Sequence, residues 1–214
     1  MILNNKFYVK ELKEVVFIGF SEVINDLYKI NEKHKLHSSI FTSTDQSKDI
    51  KVSHKIFDKI DENLYDYIRN NYEIDKTLFI SIGSRMIFDT KFIAFTKGNL
   101  INFHGTRLPY DSGGGGFSWK IMREDKIDNQ LVHLVDNGID TGPIIDYSLS
   151  IYPKSCKIPI DYEEYTSKLF LNFYNGFIKK IIDGLSFDLK SQLSYIGRYN
   201  PRLSSDDSSY INWN

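Results

Sequence analysis

The chain has 214 residues and a mass of 25.0 kDa, which predicts one large domain or one domain with a short appendage. Its 41% hydrophobic and 26% charged residues are typical of a globular protein and exclude wholesale disorder. Because 27 basic and 28 acidic residues nearly cancel, no global positive field attracts nucleic acid, and any phosphate recognition must be local.

The compartment is indicated by what the sequence lacks. A single cysteine excludes an internal disulfide and fits a reducing cytosol. No apolar run approaches the ~18 residues of a membrane span, and the first ten residues lack the apolar core of a signal peptide. We therefore expect a cytoplasmic protein that binds neither nucleic acid nor a membrane.

Predicted strands and helices alternate through the first half of the chain. The predicted elements are strands at residues 14–20, 36–44, 77–83 and 99–104, a helix from Ser21 to about residue 34, and a helix at residues 58–71. This order predicts an α/β fold with a mostly parallel central sheet and helices on both faces. Ligands of such sheets bind at the carboxyl ends of the strands.

The second half predicts fewer but longer elements. They are a short helix at residues 117–124, strands at residues 130–135 and 144–151, and a long helix from Asp161 to Gly184. We therefore predict one domain over residues 1–184. Residues 185–214 are polar and are predicted to be an irregular C-terminal tail, the start of a truncated C-terminal subdomain.

Candidate chemistry is concentrated between residues 102 and 142. Asn102 and His104 alternate in a predicted strand, so both project from the same side of the sheet at its end. A carboxylate from the loop that contains Asp140 can meet them. An amide, an imidazole and a carboxylate together predict a proton-transfer site with an oxyanion donor. The alternative is that Asn102 closes a turn, His104 is a partly buried histidine with satisfied partners, and Asp140 is a cap.

A compound motif adds a family resemblance. N-F-H at residues 102–104, L-P at 108–109, the glycine run at 113–116 and V-D-N-G-I-D-T-G-P-I-I at 135–145 occur in this order. Over roughly residues 15–201, the chain resembles the N10-formyltetrahydrofolate-dependent formyltransferases. The resemblance implies a Rossmann-like formyltransferase fold, a catalytic domain over residues 1–184, N10-formyltetrahydrofolate as cosubstrate and no metal. It also implies that Asn102, His104 and Asp140 form the catalytic triad.

The resemblance further implies a mechanism in which an amine attacks the formyl carbon directly. Asn102 and a protonated His104 would stabilise the negative charge that develops on the formyl oxygen. Asp140 would orient and charge the imidazole and pass on a proton from the attacking ammonium. His133 matches a position that is often histidine in the family, and a packed histidine is the alternative.

The cofactor site is implied in the same way. The family's pterin lies against the loop that follows the strand at residues 77–83, with residues 135–140 as the other wall. The implied cofactor-binding residues are Ser84, Arg85, Met86, Ile87, Phe88, Val135, Asp136, Gly138 and Ile139. For Met86, Ile87 and Phe88, core packing is the alternative.

The motifs resemble most the nucleotide-sugar N-formyltransferases, on N-F-H-G-T-R-L-P-Y, F-S-W, Y-N-P-R at residues 199–202 and I-N-W at 211–213. This implies formyl transfer to the amine of a dTDP- or GDP-linked deoxysugar, such as dTDP-4-amino-4,6-dideoxyglucose, for surface polysaccharide (O-antigen, lipopolysaccharide). The implied substrate-binding residues are Arg107, Tyr110, Trp119, Arg198 and Arg202. Surface solvation is the alternative for the arginines.

Other readings stay open. A glycinamide ribonucleotide formyltransferase usually binds phosphate after the first strand, where this chain reads Gly19-Phe20-Ser21-Glu22 and Glu22 would repel it. A methionyl-tRNA formyltransferase carries a second domain and basic loops. A formyltetrahydrofolate hydrolase and a non-catalytic folate-binding module are further alternatives. A homodimer is a candidate assembly on which the residues do not bear.

Overall fold

Strands and helices alternate along the chain in the computed structural model, which describes residues 2–3, 5–114, 116–193 and 197–201. The strands are β1 (Ile2–Leu3), β2 (Lys6–Phe7), β3 (Glu14–Gly19), β4 (His37–Thr42), β5 (Lys55–Ile56), β6 (Thr77–Ile82), β7 (Leu100–His104), β8 (Asp111–Gly113), β9 (Ile127–Leu134), β10 (Ile144–Ile151), β11 (Phe187–Asp188) and β12 (Arg198–Asn200). The helices are α1 (Ile24–Lys33), α2 (Glu62–Asn71), α3 (Thr90–Phe95), α4 (Gly116–Met122) and α5 (Pro159–Ile182).

The central sheet has seven strands in the order β10-β9-β7-β6-β3-β4-β5. The five strands from β7 to β5 run parallel, and β9 and β10 are antiparallel additions beyond β7. The predicted α/β fold with a mostly parallel sheet is confirmed. The carboxyl ends of β3, β6 and β7 lie along one edge, where the chain turns into its loops.

Two apolar layers cover the two faces of this sheet. On one face, α1 and α5 pack on strand residues such as Phe17, whose ring contacts that of Tyr174 of α5. On the other face, α2 and α3 pack on residues such as Phe79. Burial of each such side chain contributes about 1.5–3 kcal/mol before entropy is counted. The predicted placement of helices on both faces is confirmed.

The boundaries of α5 differ from those predicted. The helix begins at Pro159, two residues before Asp161, because the Asp161 carboxylate accepts hydrogen bonds from the backbone N–H groups of Lys157 and Ile158 and holds the helix entry. Gly184 follows the helix with a φ of +73°, as expected of a residue that ends a helix. Among the described helices, none combines the length and apolar character that a membrane crossing requires.

The segment predicted as an irregular tail contains two short strands. β11 pairs with β2, and the Phe187 ring packs between those of Phe7 and Phe177. β12 pairs with β8. Strands of two or three residues carry no measurable periodicity, so the sequence pattern did not reveal them. Arg202 and the I-N-W motif lie outside the described residues, and the boundary at residue 184 stays a prediction.

Candidate active site

Sheet register brings three predicted side chains to one edge. Asn102 and His104 lie at the end of β7 on the same face as Leu100, which is buried under α2 and α3. Asn102 stands directly opposite His133 of the antiparallel strand β9. Side chains of paired residues lie on the same face of a sheet, so His133 joins the predicted pair.

Asp140 completes the cluster from the loop after β9. Its Oδ1 atom lies 3.5 Å from Asn102 Nδ2, 3.6 Å from His104 Nδ1 and 3.7 Å from His133 Nε2. The Asn102 amide donates a hydrogen bond of 3.1 Å to His133 Nε2. Asn102, His104 and Asp140 therefore meet as the motif indicated, with His133 as a fourth member. Their catalytic roles stay a prediction.

The loop that carries Asp140 is held by its own side chains. The Asp136 carboxylate accepts hydrogen bonds from the Gly138 N–H at 3.1 Å and from the Thr141 hydroxyl at 2.7 Å. Asp140 itself adopts a left-handed backbone with a φ of +57°, a conformation that aspartate tolerates better than most residues. This turn directs the carboxylate back over the strand ends.

Two further groups fix this loop from outside. A side chain on Gly142 would stand 1.8 Å from the Leu134 carbonyl oxygen, so the close approach of the loop to β9 requires glycine. The Gln192 amide donates to the carbonyls of Asp140 at 2.9 Å and Gly142 at 2.7 Å. Gln192 was missed from the sequence, because it follows the last predicted helix in a polar segment with no motif.

Burial sets the charge state of the two imidazoles. It lowers the pKa of His104 more than the nearby Asp140 carboxylate raises it. Burial also lowers the pKa of His133, whose Nδ1–H donates to the Leu134 carbonyl and leaves Nε2 as an acceptor. His104 Nε2 is buried and has no hydrogen-bond partner among the described residues. The lowered pKa favours a neutral resting imidazole with a nitrogen free to exchange a proton, and the protonated His104 that the resemblance implies stays a prediction.

His104, His133 and Asp140 also offer one ligand atom each within 4.8 Å of one another. Two imidazoles and a carboxylate are a donor set that suits zinc or a similar ion. The resemblance implies chemistry without a metal, and that expectation stays a prediction.

A cavity of about 380 Å³ opens beside this cluster, between the loops after β6 and β9; we call it the strand-end cavity. Its lining residues are Ser81, Gly83, Ser84, Met86, Ile87, Phe88, Asn102, Phe103, His104, His133, Val135, Asp136, Asn137, Gly138, Ile139 and Asp140. Every residue predicted to bind the cofactor lines it except Arg85. The Arg85 guanidinium instead forms an ion pair with Asp45 and is largely exposed.

The mouth of the strand-end cavity carries two exposed apolar side chains. Ile87 and Ile139 are each 86% exposed, and they come from the two opposite loops. Large apolar side chains are seldom left this exposed in pairs beside a cavity unless a ligand covers them. The cavity therefore has the volume and the apolar rims that suit a flat heterocycle.

Three of the predicted substrate residues, Arg107, Trp119 and Arg198, line a separate narrow cleft beside β8 and β12 that we call the arginine cleft. Its lining residues are Thr106, Arg107, Asp111, Gly116, Trp119, Lys120, Arg123, Asp125, Arg198 and Asn200. Arg198 donates to Asp111 at 2.5 Å, and Arg107 donates to the other oxygen of the same carboxylate at 3.2 Å. Burial raises the pKa of Asp111, but these arginines outweigh it and hold that pKa below its usual value.

Trp119 and Tyr110, two further predicted substrate residues, also make contacts within the chain. The Trp119 indole donates to the Pro201 carbonyl at 2.9 Å. Tyr110 is half exposed and does not line the cleft. The Arg107 guanidinium lies 5.9 Å from the centre of the Tyr110 ring. Gly113, in the glycine run, has a φ of +92° and lies so close to the Asn200 carbonyl that a side chain would stand 2.1 Å away. Ligand binding by these residues stays a prediction.

The curated relatives of the chain are formyltransferases. No protein-family model matches the chain. It is 28% identical over 192 residues to a methionyl-tRNA formyltransferase of Blochmanniella pennsylvanica, covering 88% of this chain and 52% of that protein. It is 25% identical over 151 residues to the Thermodesulfovibrio yellowstonii enzyme of the same name, covering 69% and 47%. The chain thus spans about half the length of these relatives.

Solved structures share the fold at lower identity. The N-formyltransferase from Helicobacter canadensis, in complex with folinic acid and dTDP-3-aminofucose, has a TM-score of 0.63 at 18% identity, covering 94% of this chain and 73% of that one. A 4-N formyltransferase from Francisella tularensis has a TM-score of 0.66 at 19% identity, covering 92% and 78%. The resemblance indicated by the motifs is confirmed, and the chain has the formyltransferase fold.

Proposed function

We propose that the chain transfers a formyl group from N10-formyltetrahydrofolate to the amino group of a nucleotide-linked amino-deoxysugar. The observation that carries the proposal is the convergence of Asn102, His104 and Asp140 at one end of a cavity with apolar rims. The H. canadensis neighbour, crystallised with folinic acid and a dTDP-linked amino sugar, supports both substrates.

The residues of the cluster supply the chemistry of proton movement. When bound, the folate supplies the formyl carbon that an amine attacks. The neutral His104 accepts the proton that the amine loses, and Asp140 stabilises the resulting imidazolium. The imidazolium then returns that proton to the departing nitrogen of the folate, as the bond from that nitrogen to the formyl carbon breaks. Asn102 donates to the oxygen on which charge develops. His133 holds the Asn102 amide in place through its Nε2 acceptor.

The strand-end cavity would hold the folate through its walls. The loops at residues 84–88 and 135–140 line the cavity, where their main-chain groups would pair with the heterocycle and Ile87 and Ile139 would cover its faces. We propose the predicted cofactor-binding set for this role without Arg85, whose charge is engaged by Asp45.

A second candidate acceptor follows from sequence similarity, since the two curated relatives described above act on methionyl-tRNA by their names. The net charge of -1 favours a small acceptor over a tRNA. The dTDP nucleotide and a surface-polysaccharide role stay predictions from the family resemblance, and a homodimer stays a candidate assembly.

The test is a turnover assay with N10-formyltetrahydrofolate that follows release of tetrahydrofolate. Acceptors are dTDP-3-aminofucose, dTDP-4-amino-4,6-dideoxyglucose, glycinamide ribonucleotide and methionyl-tRNA. We expect turnover with an amino sugar alone. Turnover with only one of the last two acceptors would replace the acceptor and keep the chemistry. Folate binding without turnover on any amine would support a non-catalytic module.

A further inference from the structure

The segment after α5 runs beside the loop that carries Asp140. The segment is anchored first by β11, which pairs with β2. Lys190 then exchanges two backbone hydrogen bonds with Ile144, at 2.8 and 2.9 Å, in an antiparallel bridge. In such a pair, the residue two positions later on one side stands opposite the residue two positions earlier on the other. Gln192 is therefore placed opposite Gly142, within reach of the loop.

The loop between β9 and β10 relies on side chains for its hydrogen bonds. Within the described part of the chain, no backbone–backbone hydrogen bond involves residues 136–142. The Asp136 carboxylate holds the first part of the loop. In the last part, Gln192 Nε2 donates to the carbonyls of Asp140 at 2.9 Å and Gly142 at 2.7 Å. One amide group from a distant segment thus fixes two neighbouring points of the loop backbone.

The position of the Asp140 carboxylate is sensitive to small movements of that backbone. Its Oδ1 atom lies 3.5–3.7 Å from a nitrogen of each of Asn102, His104 and His133, at or just beyond the outer limit of a hydrogen bond. The residue has a left-handed backbone with a φ of +57°, and such conformations persist where the surroundings hold them. Gln192 does not line the strand-end cavity, so its influence on the cluster passes through the Asp140 backbone.

We propose that Gln192 is a positioning residue for formyl transfer, whose two hydrogen bonds set the distance between the Asp140 carboxylate and His104. This role rests on the proposed function and adds to it a residue from outside the sequence motif. If the two N–H donors are lost, both carbonyls lose their partner in the described part of the chain. The loop is then free to carry the carboxylate away from the imidazole.

The part of the loop that lines the folate wall has supports of its own. The Val135 N–H donates to the Leu100 carbonyl at 3.1 Å. The Thr90 hydroxyl donates to the side chain of Asn137 at 3.1 Å. Loss of Gln192 is therefore expected to lower turnover more than it weakens folate binding.

The first experiment compares Gln192→Met, which keeps the length of the side chain but has no N–H donor, with the control Ser191→Ala at the exposed neighbouring residue. The substrates are N10-formyltetrahydrofolate and dTDP-3-aminofucose. We expect kcat of Gln192→Met to fall at least about tenfold, because a displacement of about 1 Å can cost a hundredfold. The KM for the folate should stay within about twofold, and Ser191→Ala should match the wild type. A kcat of Gln192→Met equal to that of the wild type would overturn the proposal.

A double-mutant cycle tests whether Gln192 acts through Asp140. In the Asp140→Asn background, Gln192→Met should lower kcat by less than about twofold, because the group that it positions is already gone. A general loss of structure would lower kcat by the same factor in both backgrounds. That additive result contradicts a positioning role.

The pKa of His104 gives a readout that needs no turnover. The Asp140 carboxylate raises that pKa against the effect of burial. If the carboxylate moves away in Gln192→Met, the pKa of His104 should lie below its wild-type value, and Ser191→Ala should leave it unchanged. NMR titration of the folded proteins without substrates measures all three. An unchanged pKa in Gln192→Met refutes the positioning role even if amino sugars are formylated, whereas a lowered pKa supports it even if the acceptor is a different amine.

Discussion

The cluster at the strand ends and the arginine cleft are both rich in charge, but they use it differently. Asp140 lies 3.5–3.7 Å from each of its three neighbours, and His104 Nε2 has no partner among the described residues. In the cleft, Arg198 donates to Asp111 at 2.5 Å. The first cluster keeps hydrogen-bonding capacity for a ligand, whereas the second uses its capacity to hold residues 198–201 against β8.

The largest expected effect is on the first cluster. His104→Asn keeps a hydrogen-bond donor but removes the proton acceptor, so we expect kcat to fall about a thousandfold. Folinic acid should bind within about threefold of the wild type, because the walls of the cavity are intact. The control is His34→Asn, at a partly buried histidine far from the cluster, whose ring nitrogen contacts Asn175. A variant that retains a tenth of the activity or more would remove His104 from the mechanism.

The next prediction tests the arginine cleft. Asp111→Asn breaks a nearly buried ion-paired carboxylate, so we expect the free energy of unfolding to fall by about 2 kcal/mol, with little change in kcat. Asp188→Asn, at an exposed pair with Lys6, should cost at most about 0.5 kcal/mol. Urea unfolding measures both. Unchanged stability with a raised acceptor KM would mean that the arginines serve a ligand instead.

The cluster at the strand ends and the arginine cleft should also affect folding stability in different pH ranges. The pKa of His104 and that of His133 are lowered from 6.5, so the unfolded chain takes up protons first and stability falls as pH drops below about 6.5. The pKa of Asp111 is lowered from 3.8, so its contribution is lost only below that value. The free energy of unfolding, measured from pH 8 to pH 3, should still fall below about pH 6.5 in Asp111→Asn. That fall should be smaller in His104→Asn, which lacks one of the two histidines. A His104 imidazole whose NMR signal titrates above pH 6.5 in the folded protein contradicts the lowered pKa.

The convergence of Asn102, His104 and Asp140 could be predicted because strand geometry is periodic and the motif places the carboxylate in a later loop. Asn102 and His104 alternate within one short strand, and Gly142 beside Asp140 is required by its close approach to the Leu134 carbonyl oxygen. The sequence indicated His133 but gave it no role. Its place beside Asn102 follows from the antiparallel pairing of β9 with β7. Side-chain alternation does not reveal which strand lies beside which.

The features that the sequence did not predict depend on contacts between segments that are distant along the chain. The pairing of Arg198 with Asp111 joins residues that are far apart in sequence, and no local pattern predicts it. The lowered pKa of His104 follows from burial, and a sequence gives the neighbouring carboxylate but not the loss of water around the ring. The strand Phe187–Asp188 was too short for its pattern to be read.

The smallest expected effect is at the mouth of the strand-end cavity. Ile87→Ser removes an apolar side chain that is 86% exposed, so the fold should lose almost nothing. If a flat ring covers that side chain when bound, the lost contact should weaken folinic acid binding several-fold, at about 25 cal/mol per Å² of apolar area. Ile56→Ser, at a half-exposed isoleucine on β5, is the control and should leave the affinity unchanged. Equal affinity in Ile87→Ser would mean that the ring lies deeper, against Asn102 and His133, and that the exposed isoleucines await another partner.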